Sequence, residues 1–315
     1  MTKSSRTPAR FTFSAIGAGW EILTEEPVSQ KVREAVLARV EAYDRIYSRF
    51  RPDSLVAAMA TAPAGGEFVF PADAVPLFDL YDKLHAATDG AVDPLVGRDL
   101  EQLGYDASYT LRPLPEDVRA AERMGRPSWA VDVEREGRVL RSRRPVVVDV
   151  GAAGKGQLVD LVTELLVGSG IDRCTVDASG DLRHRGGDVL RVGLEHPAEP
   201  GHVVGVVRLR DRALCASATN RRAWGNGLHH VIDPRTGSPE RGVLATWAIA
   251  DQAMLADGLA TALFFTPGAG LQRSFDFTWA QMLADHTMHR SSDLEGELFT
   301  QPPQANPPLA VKENS

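Results

Sequence analysis

The run VVVDVGAAGKGQLVD, residues 146–160, constrains this chain more than any other stretch. Valines crowd around a single aspartate, and the pattern predicts a buried strand over 146–150 that carries Asp149. Gly151, Gly154 and Gly156 follow, and without a Cβ they let the backbone bend and let a ligand come close. A helix is then predicted from about Gln157 to Val167. Lys155 stands at its start, where a cation and free N–H groups together suit a phosphate. The spacing is neither GxxxxGK[ST] nor GxGxxG. Read alone, the segment is either an anion cradle or a glycine turn with a surface lysine.

The rest of the chain fits a large folded unit around that turn. Of its 315 residues 43% are hydrophobic, enough for a sizeable core. The net charge of -7 excludes nucleic acid and anionic membrane as general partners, so an anion site must be built locally. Two cysteines, Cys174 and Cys215, make neither a zinc pattern nor a disulfide framework and read as buried thiols. No apolar leader precedes Glu21 and no long apolar run follows, so no membrane span is expected and the compartment is expected to be the cytoplasm. Residues 1–10 read as a disordered basic tail, 11–290 as the folded domain and 291–315 as a disordered polar tail.

Strands are predicted at 11–16 and 20–23. A helix from Ser29 to Phe50 carries Val32, Val36, Leu37, Val40, Tyr43 and Tyr47 at three- and four-residue steps. A second helix runs from about Asp73 to Thr88. Residues 106–144 read as a loop with a hairpin. Strands follow near 173–177, 189–194, 203–209, 228–232 and 243–249, then a helix from about Gln252 to Phe265 with Asp251 as N-cap, and a strand at 278–283. Without regular βαβ alternation, the fold class is α+β, with mixed or antiparallel sheets and packed helices.

Three more segments offer chemistry. In ADGLAT, Asp257 and Thr261 are four apart and share one helix face, offering two hard oxygens to a cation; the plainer alternative is a solvent-facing or backbone-bonded aspartate. In HHVIDPRTGSP, His229 and His230 point to opposite faces of a strand, so one at most enters a given pocket as a proton acceptor; a histidine bonded within the fold is the alternative, and Arg235 either meets an anion or locks the turn. In TDGAVDPLVG, Gly90 allows a bend and Asp93 precedes Pro94, either holding a ligand's edge or making an Asx turn.

Taken in order, YSRFRPDS (47–54), DGAVDP (89–94), DVGAAGKG (149–156), DASGDL (177–182), HHVIDPRTGSP (229–239) and ADGLAT (256–261) resemble the ApbE family of FAD:protein FMN transferases over about residues 11–290. The resemblance implies an ApbE-like fold and a metal-dependent transfer of FMN from FAD to a Thr or Ser hydroxyl of an acceptor protein with an FMN-binding domain. AMP would be released. It implies magnesium, or manganese, held by Asp257, Thr261 and the Ala152 carbonyl. It implies FAD cradled by Ala91, Val92, Asp93, Asp149 and Lys155, with Phe50 beside the flavin and Ile16 and Val231 as apolar walls. His230 takes the part of general base. An FAD pyrophosphatase and a non-catalytic flavin carrier are the alternatives. The chain departs from the family pattern at Ile16-Gly17-Ala18, at Ala57-Ala58-Met59-Ala60, at Ser179 and at Ser217-Ala218-Thr219-Asn220, which removes polar groups expected around the flavin.

Overall fold

The computed structural model describes residues 7–299. Its backbone is an eight-stranded antiparallel sheet whose spatial order follows the chain: Ala9–Ala15, Ala18–Thr24, Cys174–Asp177, Asp181–Arg185, Ala213–Ala218, Val243–Ala250, Thr278–Leu283 and Met288–Arg290. Side chains alternate across these strands, and the two faces serve two cores. On Val243–Ala250, Ala248 and Ala250 face the helices, whereas Ala245, Trp247 and Ile249 face a three-stranded sheet of Leu190–Glu195, Val203–Leu209 and Gly296–Leu298. The mixture of helices and antiparallel sheets is the α+β class.

The helical layer arises mostly from the long insertion between the second and third strands of the sheet. Ser29 caps the helix Gln30–Tyr47 through its hydroxyl, and Val36, Val40, Tyr43 and Tyr47 form the buried stripe. Leu37, read as part of that stripe, is exposed instead, and Phe50 lies beyond the helix end. The helix Ala74–Ala87 buries Leu77, Phe78, Leu80, Tyr81 and Leu84.

Several expectations are corrected. Residues 146–150 alternate between buried and partly buried, yet they join no sheet. The Asp149 N–H donates to the Pro94 carbonyl at 2.7 Å and the Val146 N–H to the Met59 carbonyl at 3.4 Å, so the valine run is an extended segment held by two short helices. The strand expected over 228–232 breaks at His230, because Leu228–His229 pairs back onto Ala223–Trp224 while Ile232–Asp233 pairs forward onto Ser238–Pro239. Strand pairing begins at Ala9 and extends to Leu298, so both ends of the folded unit run past the 11–290 bounds. The remainder of the two predicted tails lies outside the described residues.

Two helices set the site. Gly154–Gly168 and Ala253–Ala262 cross so closely at Gly156 that an added methyl there would run into the Ala253 carbonyl and meet Asp257 Cβ at 2.7 Å. The predicted Asp251 cap is not the one used. Gln252 stands at the cap position without a side-chain bond, and the Asp160 carboxylate, from the other helix, accepts the N–H groups of Ala253 and Met254 at 3.0 and 2.9 Å. Arg183 holds that carboxylate at 2.5 Å. Free helix-start donors need acceptors, and a neighbouring helix supplies them here.

Candidate functional site

A single cavity of about 1240 Å³ opens where the glycine turn, the last long helix and the first hairpin meet. Ile16, Phe50, Ala91, Val92, Asp93, Asp149, Ala152, Lys155, His230, Val231, Asp257 and Thr261 all line it. Residues 245 positions apart in sequence thus face one space. Ala57, Ala58 and Ala60 do not, so the departure from the family pattern on the helix Leu55–Ala60 does not touch the cavity wall.

The floor is built by the two crossing helices. Asp257 is buried, and its Oδ2 accepts the Gly156 N–H at 2.9 Å. One turn on, the Thr261 hydroxyl lies 3.5 Å from the Ala152 carbonyl, long for a hydrogen bond. Burial first, and then the charge of Asp181, push the Asp257 carboxyl well above the usual carboxylate range, against the pull of Lys155. A buried carboxylate in that state lacks compensating charge. One carboxylate, one hydroxyl and one backbone carbonyl fit a hard cation that fills its shell with water and substrate phosphate. Among the described residues, no three His, Cys, Asp or Glu side chains gather into a metal cluster.

Lys155 does not stand free for a phosphate. Its ammonium ion-pairs with Asp181 at 2.9 Å and donates to the Ala178 carbonyl at 3.0 Å. Burial alone would lower its pKa, but Asp181 and Asp257 raise it above the ordinary lysine value. Asp181, inside the DASGDL run but unassigned by sequence, is wholly buried.

Asp149 is similarly engaged. Its Oδ2 takes the Arg49 Nε–H and its Oδ1 the Gly151 N–H, each at 2.6 Å. Burial opposes its charge, yet Arg49 and the Gly151 N–H bring the carboxyl below the usual range. Arg49 in turn lies against the rings of Phe50 and Tyr105, 4.2 and 5.1 Å from their centroids. Phe50 stacks on Tyr109, and Tyr105 on Trp224, so the cavity has an aromatic wall of which sequence reasoning named only Phe50. The Arg49–Asp149 pair spans 100 residues and left no local signal.

The Asp93 carboxylate caps the short helix Pro94–Val96 through the Leu95 N–H at 2.8 Å and takes Arg126 at 3.2 Å. Both the Asx-turn reading and the place beside the cavity hold for this residue.

The two histidines face different surroundings, although the strand ends at His229 and alternation along it is not the cause. His229 is buried with Nε2 2.8 Å from the Glu240 carbonyl, while His230 lines the cavity. Burial, aided by Arg222 and His229, holds the His230 pKa down to about 3. It is therefore neutral at ordinary pH and carries a lone pair for a proton. Its Nδ1 is buried without a hydrogen-bond partner among the described residues. Arg235 locks its turn, with Nη2 2.7 Å from Asp233 Oδ2.

The first hairpin turn contributes Ile16, whose backbone is left-handed at φ 47°. A β-branched residue seldom adopts that region, and such strain tends to persist at sites of use. Ser179, where the family pattern has glycine, is also left-handed at φ 54°. Its hydroxyl accepts the Gly19 N–H at 3.1 Å and donates to the Gly19 carbonyl at 2.9 Å, fastening the hairpin turn over the cavity.

Fold and cavity define an α+β protein whose deep cleft gathers the oxygens of Asp257, Thr261 and Ala152 near an aromatic wall. The chain belongs to the ApbE family, whose profile matches residues 12–277. It is 30% identical over 263 residues to the FAD:protein FMN transferase of Rhodobacter capsulatus, covering 80% of this chain and 50% of that protein. The chain thus spans about half the length of that relative. A Klebsiella pneumoniae FAD:protein FMN transferase is 27% identical over 264 residues, covering 79% and 75% of the two chains. Among solved structures, the ApbE protein of Thermotoga maritima superposes with a TM-score of 0.79 at 24% identity, over 91% of this chain and 97% of that one. The flavin transferase ApbE of Vibrio cholerae gives 0.79 at 22% identity over the same shares. At these identities the structures speak for the fold.

Proposed function

We propose that this chain is an FAD:protein FMN transferase, moving FMN from FAD onto a Thr or Ser hydroxyl of an acceptor protein. The observation that carries the reading is the convergence of the twelve residues on one cavity, with the oxygens of Asp257, Thr261 and Ala152 at its floor. The family's transferase relatives add to it.

In this reading the aromatic wall and Ile16 hold the flavin, and the glycine turn lets the diphosphate come close to the backbone. A divalent cation, magnesium for this all-oxygen donor set, would be held by Asp257, Thr261 and the Ala152 carbonyl and would offset charge gathering on the diphosphate. Neutral His230 takes the proton of the acceptor hydroxyl as its oxygen forms a bond to the FMN-side phosphorus. The bond from that phosphorus to the bridging oxygen breaks, and AMP leaves with the oxygen. Lys155 and Asp149, both paired, hold the floor and the wall in place. Positioning and charge supply most of the acceleration in such chemistry. The cytoplasm is the compartment of this reading, which the two free, buried cysteines support. Among the described residues no helix is long and apolar enough to cross a membrane.

Incubation with FAD and Mg²⁺, with and without an FMN-binding-domain acceptor, tests the proposal by mass spectrometry. A covalent FMN mass shift on the acceptor is expected. Free FMN and AMP regardless of acceptor would make the protein a hydrolase, and intact bound FAD would make it a carrier.

A further inference from the structure

The cavity is lined by more acidic than basic side chains, so a dianionic ligand cannot be drawn in by overall charge. Its cations are also mostly committed. Arg49 is paired with Asp149, Arg51 with Asp44 and Asp53, Lys155 with Asp181, and Arg221 with Glu195. The His196 ring accepts the backbone N–H groups of Ala198 and Glu199, each at 3.1 Å. Arg222 differs: among the described residues it is the one lysine or arginine on the cavity wall whose side chain has no ion pair or hydrogen bond. It is solvent-exposed.

Its neighbours along the backbone are tied on both sides. Arg221 before it is tied to Glu195, and Ala223 after it pairs with His229 in the small ribbon that leads into His230. Its charge reaches inward: it opposes protonation of His230 and favours the ionised form of Asp149. A guanidinium on the cavity wall that is left without an anion is suited to a phosphate, which it meets through two parallel N–H groups.

We infer that Arg222 binds the non-bridging phosphate oxygens of the dinucleotide and so makes the cavity select phosphorylated flavins over riboflavin. The inference rests on the transferase reading and adds a residue that neither the glycine turn nor the family's motifs single out. Lys155, the cation first suggested by sequence, is occupied by Asp181, and Arg222 takes that part.

The test compares wild type, Arg222→Lys and Arg222→Gln by flavin fluorescence titration with FAD and with riboflavin, in EDTA so that no metal contributes. Thermal melts check that each variant folds. Arg222→Gln should weaken FAD binding roughly 10- to 100-fold and leave riboflavin binding unchanged. Arg222→Lys should fall between, since it keeps the charge and loses the planar fork. Equal FAD affinity in wild type and Arg222→Gln would overturn the inference while leaving the transferase reading standing. So would a variant that binds FAD normally and loses only transfer to the acceptor, which would assign Arg222 to the acceptor protein. A wild-type protein that binds no FAD even when Mg²⁺ replaces EDTA would sink the transferase reading and this inference with it.

Discussion

The Lys155 ammonium lies 2.9 Å from the Asp181 carboxylate, with the buried Asp257 carboxylate close enough to raise the lysine's pKa as well. One cation thus pairs with the buried Asp181 and only partly offsets the cost of burying Asp257. Removing it leaves the buried Asp181 without its partner, and breaking a buried pair costs more than never having had it. Lys155→Met should destabilise the metal-free protein by about 3–5 kcal/mol in urea unfolding. The double variant Lys155→Met/Asp181→Leu should recover part of that loss, a coupling a double-mutant cycle reads directly. Additive effects would mean the pair does not interact.

Asp257→Asn should separate folding from chemistry. The amide oxygen can still accept the Gly156 N–H, and the like charge facing Asp181 is gone, so the metal-free fold should be as stable as wild type or more so. The thermal shift on adding Mg²⁺ should disappear, and FMN transfer should drop at least about a hundredfold. Retained transfer would remove Asp257 from the cation seat.

His230 gives a pH signature. Its folded pKa, held down to about 3, lies below the ordinary histidine value of about 6.5. As pH falls through 6.5 the unfolded chain takes up a proton that the native site refuses, so stability drops on the acid side. Between pH 7.5 and pH 5 that loss is at most about 2 kcal/mol. Urea unfolding of His230→Gln at the two pH values should show a correspondingly smaller decline than wild type. Identical slopes would mean that burial does not hold the ring neutral.

At Ser179 two effects oppose each other. A left-handed serine is strained, while its hydroxyl makes two bonds to Gly19. Ser179→Ala keeps the strain and loses the bonds; Ser179→Gly loses both. Alanine should therefore be the worse substitution, by about 1 kcal/mol relative to glycine. Thermal unfolding of the two variants decides it, and equal melting temperatures would show that φ at 179 carries no cost.

What the sequence reveals is local. Most of the stripe of Gln30–Tyr47 follows from spacing, as do the first hairpin and the strand Thr278–Leu283. The strands Asp181–Arg185 and Ala213–Ala218 were hidden because one is charged and the other made of small residues, so neither looks like a strand until the sheet surrounds it. The valine run looks like a strand by composition, yet its backbone partners, the Met59 and Pro94 carbonyls, belong to short helices. The cavity's residues were nameable from motifs. Their partners were not, since Arg49–Asp149 and Lys155–Asp181 depend on where distant segments come to rest.

The Asp160 clamp on the start of Ala253–Ala262 reaches beyond the helix it secures. Because the clamp belongs to the helix that carries the glycine turn, the two rods cannot slide past one another. The gap between the Ala152 carbonyl and the Asp257–Thr261 face then behaves like the jaws of a calliper locked by a distant screw. For the cation of the proposed reading, the fit between those jaws would be set in part by a side chain that does not line the cavity.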